Sequence, residues 1–400
     1  MSKLFTRTER DSSDASKNAQ LLTRAGFIDK LMSGVYSYLP LGLMVLNNIE
    51  KIVREELSAI GSQEIMMPAL QPKEIWETTG RWNMDVLYKF KGHGDSDLTL
   101  GATHEEVVTP LIRRFVKSYR NLPVIVDQIQ TKFRNEARAK SGLLRGREFR
   151  MSDMYSFHAT QEDHERFYYE SVIPAYKRIF DRCGIGDKTY LTHAPGGEFS
   201  KFSHEFQTIS SIGEDTIFIT PDVDRAAVSK DLGESSGEQV SAIEVGNIFN
   251  LHSRFTDAFG ATYVDSEGKQ NPIHMGCYGI GTTRLMGTIV EILGDEKGLV
   301  WPAEIAPFQI HLVSMAKSEE EIAFADAIYD QLVNSGISVL YDDRDIRAGE
   351  KMAECDLLGM PTRIVVSKKT IAENSVEIKS RTSDETRIIS VTEMISELFG

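Results

Sequence analysis

Apolar and polar positions alternate with period two on both sides of a polar loop within residues 128–157, the pattern of two strands folded back on each other. On the first strand Lys132, Arg134 and Glu136 share one face, with Thr131 and Phe133 on the other. On the return strand Arg145, Arg147, Phe149, Met151, Asp153 and Tyr155 fall together. Elsewhere the period lengthens to that of a helix. Leu46, Ile49, Val53 and Leu57 recur at helical spacing, as do Leu285, Met286, Ile289, Val290 and Leu293. Up to about residue 302 helices and strands follow no regular rhythm, which predicts an α+β domain around an antiparallel sheet. Two prolines then bracket the connector Trp301-Pro302-Ala303-Glu304-Ile305-Ala306-Pro307. Beyond it the order is regular: strand 310–313, helix 319–334, strand 338–341, helix 349–358, strand 362–366. That succession predicts a small α/β domain with a mostly parallel sheet, so domains at 1–305 and 306–400 are expected.

Composition narrows the function classes. A chain of 400 residues with 41% hydrophobic content can build two cores. A net charge of −14 argues against coating nucleic acid by bulk electrostatics, yet residues 132–150 hold seven basic side chains and two acidic ones. Cys183, Cys277 and Cys355 stand far apart, which supplies neither a zinc ligand set nor a disulfide framework and fits a reducing compartment. No apolar run approaches the roughly 20 residues that span a bilayer. Near the start, Lys3, Arg7 and Arg10 mix with Glu9, Asp11 and Asp14, unlike a targeting leader. A cytoplasmic chain with no membrane partner is expected.

The basic hairpin can hold a polyphosphate between arginines while the Phe149 ring offers a surface for a base. In Met275-Gly276-Cys277-Tyr278-Gly279-Ile280-Gly281-Thr282-Thr283-Arg284, glycines allow close backbone approach and Arg284 stands near a helix start. The run is not a dinucleotide fingerprint, because Arg284 holds the place of the third glycine. Together the two segments resemble motif 2 (Phe-Arg-x-Glu, loop, Arg-x-x-x-Phe, about 128–157) and motif 3 (Gly-x-Gly-x-x-Arg, about 275–293) of class II aminoacyl-tRNA synthetases. The helix at 41–57, followed by Gln63-Glu64-Ile65-Met66-Met67-Pro68, resembles motif 1 (about 41–68). Within the class the chain is similar to the bacterial-type prolyl-tRNA synthetases. The carrying residues are Arg24-Ala25-Gly26, Tyr36-Ser37-Tyr38-Leu39-Pro40-Leu41, Gly101-Ala102-Thr103-His104-Glu105-Glu106, Ser203-His204-Glu205-Phe206 and 275–281. The likeness runs from about residue 4 to the C-terminus.

This resemblance implies an antiparallel-sheet catalytic domain and a small α/β anticodon-binding domain. It implies activation of proline by ATP and transfer to tRNA(Pro), in a homodimer formed through motif 1. Arg134 would hold the α-phosphate and the prolyl carboxylate, and Arg145 and Arg284 the distal phosphates. Phe149 and Arg284 would sandwich the adenine, with Glu136 accepting from its amino group. Magnesium is expected on the phosphates with few protein ligands, and no zinc. Thr103 and Glu105 would meet the secondary ammonium of proline, although the bare pattern also reads as a helix cap. Asp153 and Tyr155 either wall the proline pocket or are ordinary sheet residues. Asp342-Asp343-Arg344-x-x-Arg347 and Gly359-Met360-Pro361 match the anticodon domain. Arg344, Arg347 and Lys351 are its candidate base readers, each equally readable as part of a solvated face. Cys277 reads as a small buried filler, and His104, His158 and His204 as structural.

Departures from the family pattern are local. Asn247 stands where histidine is usual, His252 where glycine is usual, and Asn250 where glutamine or tyrosine is common. These positions lie near the pocket in relatives, so its wall is expected to differ. Gly213-Glu214-Asp215 reaches Glu244-Val245-Gly246 through a few tens of residues, much of it the polar stretch 230–237. The large editing domain that many relatives carry there has no room. A non-catalytic paralogue would be expected to lose arginines of motif 2 or 3, and Arg134, Arg145 and Arg284 are all present. A threonine enzyme would need a Cys/His zinc site that this chain does not supply.

Overall fold

The computed structural model describes residues 1–233 and 235–399; Glu234, within the polar stretch, lies outside the described residues. Among the described residues, nine strands form the large sheet. Their order is Phe202–Ile209, Thr189–Pro195, Ala226–Ser229, Asp215–Ile219, Gln239–His252, His274–Ile280, Glu148–His158, Val124–Phe133 and Gln63–Glu64. Phe202–Ile209 also pairs with Gln239–His252. Neighbours run antiparallel except at Ala226–Ser229 with Thr189–Pro195 and at the short edge strand Gln63–Glu64.

Register decides which side chains meet. Residues directly opposite each other in an antiparallel ladder point to the same face. One such row across five strands reads Gln128, Asp153, Gly279, Asn247, Glu205. The next reads Val126, Tyr155, Cys277, Phe249, Ser203. At Gly279 a Cβ would lie 2.5 Å from Met151 Cε, so the absent side chain keeps the middle of the row open. Val126 and Tyr155 share a buried core with Val108 and Ile112 of the helix Glu105–Phe115. Phe206, out of phase with Glu205, packs instead against Tyr176 and Phe180 of the helix Ile173–Arg182, with ring centroids 5.3 and 5.2 Å away. Arg150, out of phase with Phe149, forks Glu50 at 2.6 and 2.8 Å. Helices thus cover the sheet, as the α+β pattern predicts.

Packing divides the chain into two compact units interleaved in sequence. One comprises Leu31–Val35 and Ile49–Ile289, and the other Met1–Lys30, Tyr36–Asn48 and Val290–Gly400. Within the second unit Phe27 stacks on Trp301 at 5.5 Å, Asn18 donates to Glu291 at 2.6 Å, and Arg381 forks Asp295 at 2.7 and 2.8 Å. Its sheet runs Val339–Asp342, Ile310–Ser314, Thr362–Val366, Ser375–Ser380, Arg387–Ser390. The first three strands are parallel, as expected, and Leu312, Ile328, Leu332 and Ile364 fill the core beside them. The last two add antiparallel pairs, because the short connections after residues 366 and 380 cannot make a parallel crossover.

Candidate active site

Above the open row lies a cavity of about 250 Å³ lined by Arg134, Glu136, Phe149, Glu244, Asn247 and Arg284. A second space of about 290 Å³ shares four of these walls, Arg134, Glu136, Glu244 and Arg284; Arg145 lines both, and Glu214 and Asp215 line the second alone. Arg134 leaves the strand Val124–Phe133 with its backbone N–H bonded to Arg147 O at 2.9 Å. Its guanidinium sits 5.3 Å from the Phe149 ring centroid and donates to Ala102 O at 3.4 Å. Burial, and then the Arg284 charge, push the Arg134 pKa down. Arg145 is held by Glu136 at 3.0 Å and Glu214 at 2.9 Å. Arg284 donates to Glu244 Oε2 at 3.2 Å and to Leu144 O at 2.9 Å. Beyond them Glu205 is pushed up to about 7 by burial and then by Glu244. Two of the three arginines therefore rest on carboxylates, the class of ligand that a phosphate would replace.

The other end of the site is dry. Glu105 opens its helix fully buried, and His104 takes the N-cap position. The Thr103 hydroxyl donates to the Glu105 carboxylate, so it does not cap the helix. Glu105 Oε1 accepts from the Cys277 thiol at 3.1 Å, and burial, then Glu105 itself, raise that thiol well above its usual range. Arg81, also buried, reaches Glu105 at 3.5 Å and Glu106 at 2.9 Å, and its guanidinium lies 4.7 Å from the Phe199 ring centroid. Burial lifts Glu106 to about 7 against the pull of Arg81. Asp153 accepts from Tyr155 OH at 2.8 Å and Gln128 Nε2 at 3.1 Å, and pairs with Lys132 Nζ at 2.6 Å. Lys132 is itself fully buried and lies 2.6 Å from His104 Nδ1. The carbonyl of Pro68, 3.1 Å from Nε2, can only accept, so Nε2 carries the proton and Nδ1 faces the ammonium with its lone pair. Burial, then the Lys132 charge, lower the His104 pKa to about 4.

The expected residues thus assemble, with local differences. The return strand begins at Glu148, so Arg145 and Arg147 precede its ladder instead of continuing its face. Arg145 still reaches the cavity, whereas Arg147 bonds Ser33 O and Glu136 O. Asn247 lines the cavity and donates to Glu244 at 3.1 Å. Asn250 and His252 do not line it. A bulge between them shifts the register, and they border a separate space of about 410 Å³ with Tyr168, Tyr169 and His204. His252 has φ +51°, the left-handed region that glycine adopts without penalty. His158 bonds Asp163 at 2.7 Å, and His204 bonds Tyr168 OH at 2.9 Å. In the C-terminal sheet domain Arg344 is held by Asp342 and Glu354, and buried Lys351 donates to Ser314 O at 2.6 Å, while Arg347 is exposed. Sequence reasoning gave no role to Lys132, Arg81, Glu106 or Glu244. Only Lys132 carried a signal, its place two residues before Arg134 on the same strand face.

Residues 88–293 match the tRNA synthetase class II core domain (G, H, P, S and T), and 305–399 match the anticodon binding domain. With the sheet and its arginines, this defines a class II aminoacyl-tRNA synthetase. The chain is 34% identical to the proline–tRNA ligase of Listeria welshimeri, over 96% of its own length and 95% of the relative's. The corresponding Geobacillus sp. enzyme is 33% identical over 96% and 95%. This chain belongs to the proline–tRNA ligase family, ATP-dependent enzymes of that class. The alignment with the Listeria welshimeri enzyme runs over 546 positions against 400 residues here, so the relative contains sequence without a counterpart in this chain. The fold is similar to Giardia lamblia prolyl-tRNA synthetase in complex with prolyl-adenylate (TM-score 0.79, 22% identity, covering 94% of this chain and 74% of that one). It is also similar to Cryptosporidium parvum prolyl-tRNA synthetase complexed with halofuginone and AMPPNP (TM-score 0.81, 19% identity, 96% and 78%).

The buried neutral imidazole carries a pH signature. An unfolded histidine takes a proton near pH 6.5, whereas His104 resists protonation down to about 4. Between those values the unfolded state binds more protons, so stability present above pH 6.5 is lost as pH falls toward 4. His104→Gln is expected to lose about 3 kcal/mol less than the parent across that window. Urea unfolding midpoints measured from pH 7 to 4 check this, and parallel curves for the two proteins would refute it.

Proposed function

We propose that this chain activates proline with magnesium–ATP and transfers the prolyl group to the 3′ end of tRNA(Pro). A carboxylate oxygen of proline attacks the α-phosphorus, the bond to the bridging oxygen of the β-phosphate breaks, and pyrophosphate leaves. Neither reactant needs a protein nucleophile, so placement and charge neutralisation carry the rate. The observation that carries this reading is the convergence of Arg134, Arg145 and Arg284 with Phe149 around one nucleotide-sized space.

Arg134 forks the α-phosphate and the prolyl carboxylate, which lowers the repulsion between two anions brought together. Arg145 and Arg284 exchange their carboxylate partners for the distal phosphates. The adenine lies between Phe149 and the Arg284 plane, with Glu136 accepting from its amino group. Glu105, with Thr103, meets the secondary ammonium. Asp153 and Tyr155 close the floor of that pocket while their polar atoms stay engaged with Lys132 and Gln128. Magnesium enters as part of the nucleotide substrate; among the described residues no group of three or more His, Cys, Asp or Glu is placed to hold an ion.

Residues 1–305 would carry this chemistry and 306–400 the anticodon contacts, with exposed Arg347 the first candidate there. Two chains would pair through residues 41–68. On the motif 1 helix Leu46, Ile49, Val53 and Leu57 are buried within the chain, while Met66 beyond it is 87% exposed and Leu43 is 45% exposed. The motif 1 side chains left for a partner are therefore few. No helix among the described residues is long and apolar enough to cross a membrane.

Arg134→Ala is expected to lower proline-dependent ATP–pyrophosphate exchange about 10²-fold or more and aminoacylation with it. Arg347→Ala should weaken aminoacylation alone. Near-normal exchange in folded Arg134→Ala, or equal loss of both activities in Arg347→Ala, removes that residue from its role. Light scattering at micromolar concentration should give twice the chain mass, and a monomer mass excludes the dimer. A pocket sized for proline discriminates against alanine by only about 1–3 kcal/mol per missing methylene, so alanine should be activated slowly. With no room for an inserted hydrolytic domain, the chain is expected not to deacylate alanyl-tRNA(Pro). Deacylation above the spontaneous rate would reveal an editing site.

A further inference from the structure

Between Thr103 and Glu105 stands His104, fully buried and without a part in the chemistry above. Its ring is gripped at both nitrogens, by Pro68 O at 3.1 Å and by Lys132 Nζ at 2.6 Å. Lys132 lies on the strand Val124–Phe133, two residues before Arg134 and facing the same way. One buried ammonium therefore ties the loop and helix start carrying Thr103 and Glu105 to the strand that leads into Arg134. The surroundings are shaped for this grip. A Cβ at Gly101 would lie 3.0 Å from His104 Cε1 and 2.8 Å from Gln71 Nε2, so a side chain there would displace the ring or the amide. Gln71 holds the same loop from another side, donating to Thr103 O at 3.2 Å and accepting from Trp76 Nε1 at 2.9 Å.

Such a tie matters because of the substrate. The ammonium and carboxylate of an α-amino acid hang on the same carbon, so their separation is covalently fixed. The groups that receive them must be set apart to match, and a misplacement of about 1 Å can reduce the rate about 10²-fold. We propose that Lys132 and His104 are positioning residues for the amino acid, fixing the distance between the ammonium-binding carboxylate Glu105 and the carboxylate-binding guanidinium Arg134. This rests on the roles given to Glu105 and Arg134 above. Asp153 completes the device by neutralising Lys132, and its second oxygen is taken by Tyr155 and Gln128. Neither Lys132 nor His104 lines the nucleotide cavity, and Arg134 keeps its own backbone bond to Arg147 O, so loss of the grip frees the Thr103–Glu105 segment and falls on proline more than on ATP.

The test is pyrophosphate exchange by the full chain, with KM for proline and for ATP measured separately. His104→Leu keeps the Lys132–Asp153 pair and removes the acceptor. Its proline KM should rise about tenfold or more while its ATP KM stays within about twofold. His104→Gln, with one donor and one acceptor, should recover most of the loss. The proposal is overturned if folded His104→Leu keeps its proline KM, if both constants rise together, or if His104→Gln is no better. Should His104→Leu fail to fold, Lys132→Met/Asp153→Asn removes ammonium and carboxylate together and is judged by the same two constants. Failure of the underlying reading looks different, since the parent chain would then show no proline-dependent exchange at all.

Discussion

A charge removed from water must find its opposite, and this constraint organises the larger unit. Desolvating a single ion carries a penalty of several kcal/mol, which only a close, well-oriented partner offsets. Glu105 and Glu106 therefore share Arg81, Asp153 has Lys132, and Glu50 on the far side of the sheet has Arg150. The Glu50–Arg150 pair joins a helix and a strand distant in sequence, while the Lys132–Asp153 pair braces the two strands of one hairpin. The result is uneven. The end around Glu105 and Asp153 is buried and densely paired, while the end around Arg145 and Arg284 keeps partly exposed arginines on carboxylates.

Much of this was legible in the chain, and the limits have physical causes. Period-two alternation placed Lys132 and Arg134 on one face, and helical spacing located 41–57 and 285–293, because those signals are local. The strand–helix succession after residue 307 was equally plain. What could not be read was partner choice. Nothing local tells that Lys132 is swallowed between His104 and Asp153 while Arg134, two residues on, reaches a cavity. The bulge between Asn250 and His252 is a backbone event without a sequence marker beyond the tolerance of histidine for positive φ. The stacking of Phe27 on Trp301 joins residues too far apart for any periodicity to link.

The carboxylates at the nucleotide end also act on selectivity. Glu136 and Glu214 hold Arg145, and Glu244 holds Arg284. A lone anion must displace an internal partner already at high effective concentration, and gains little. A nucleotide that engages several arginines at once while stacking its base displaces them together. On the proposed reading, the site would thereby favour a polyphosphate attached to a base over inorganic anions of similar charge.

Interleaved packing has a consequence for how the chain is made. During synthesis the N-terminal segment emerges first, yet Phe27 and Asn18 find Trp301 and Glu291 only when the chain is three-quarters complete. At about 5–20 residues per second that is a wait of roughly tens of seconds. Meanwhile Ile49–Ile289 can collapse around its own sheet, since most of its contacts close within itself. Asn18 and Phe27 therefore complete their packing only with partners translated far later.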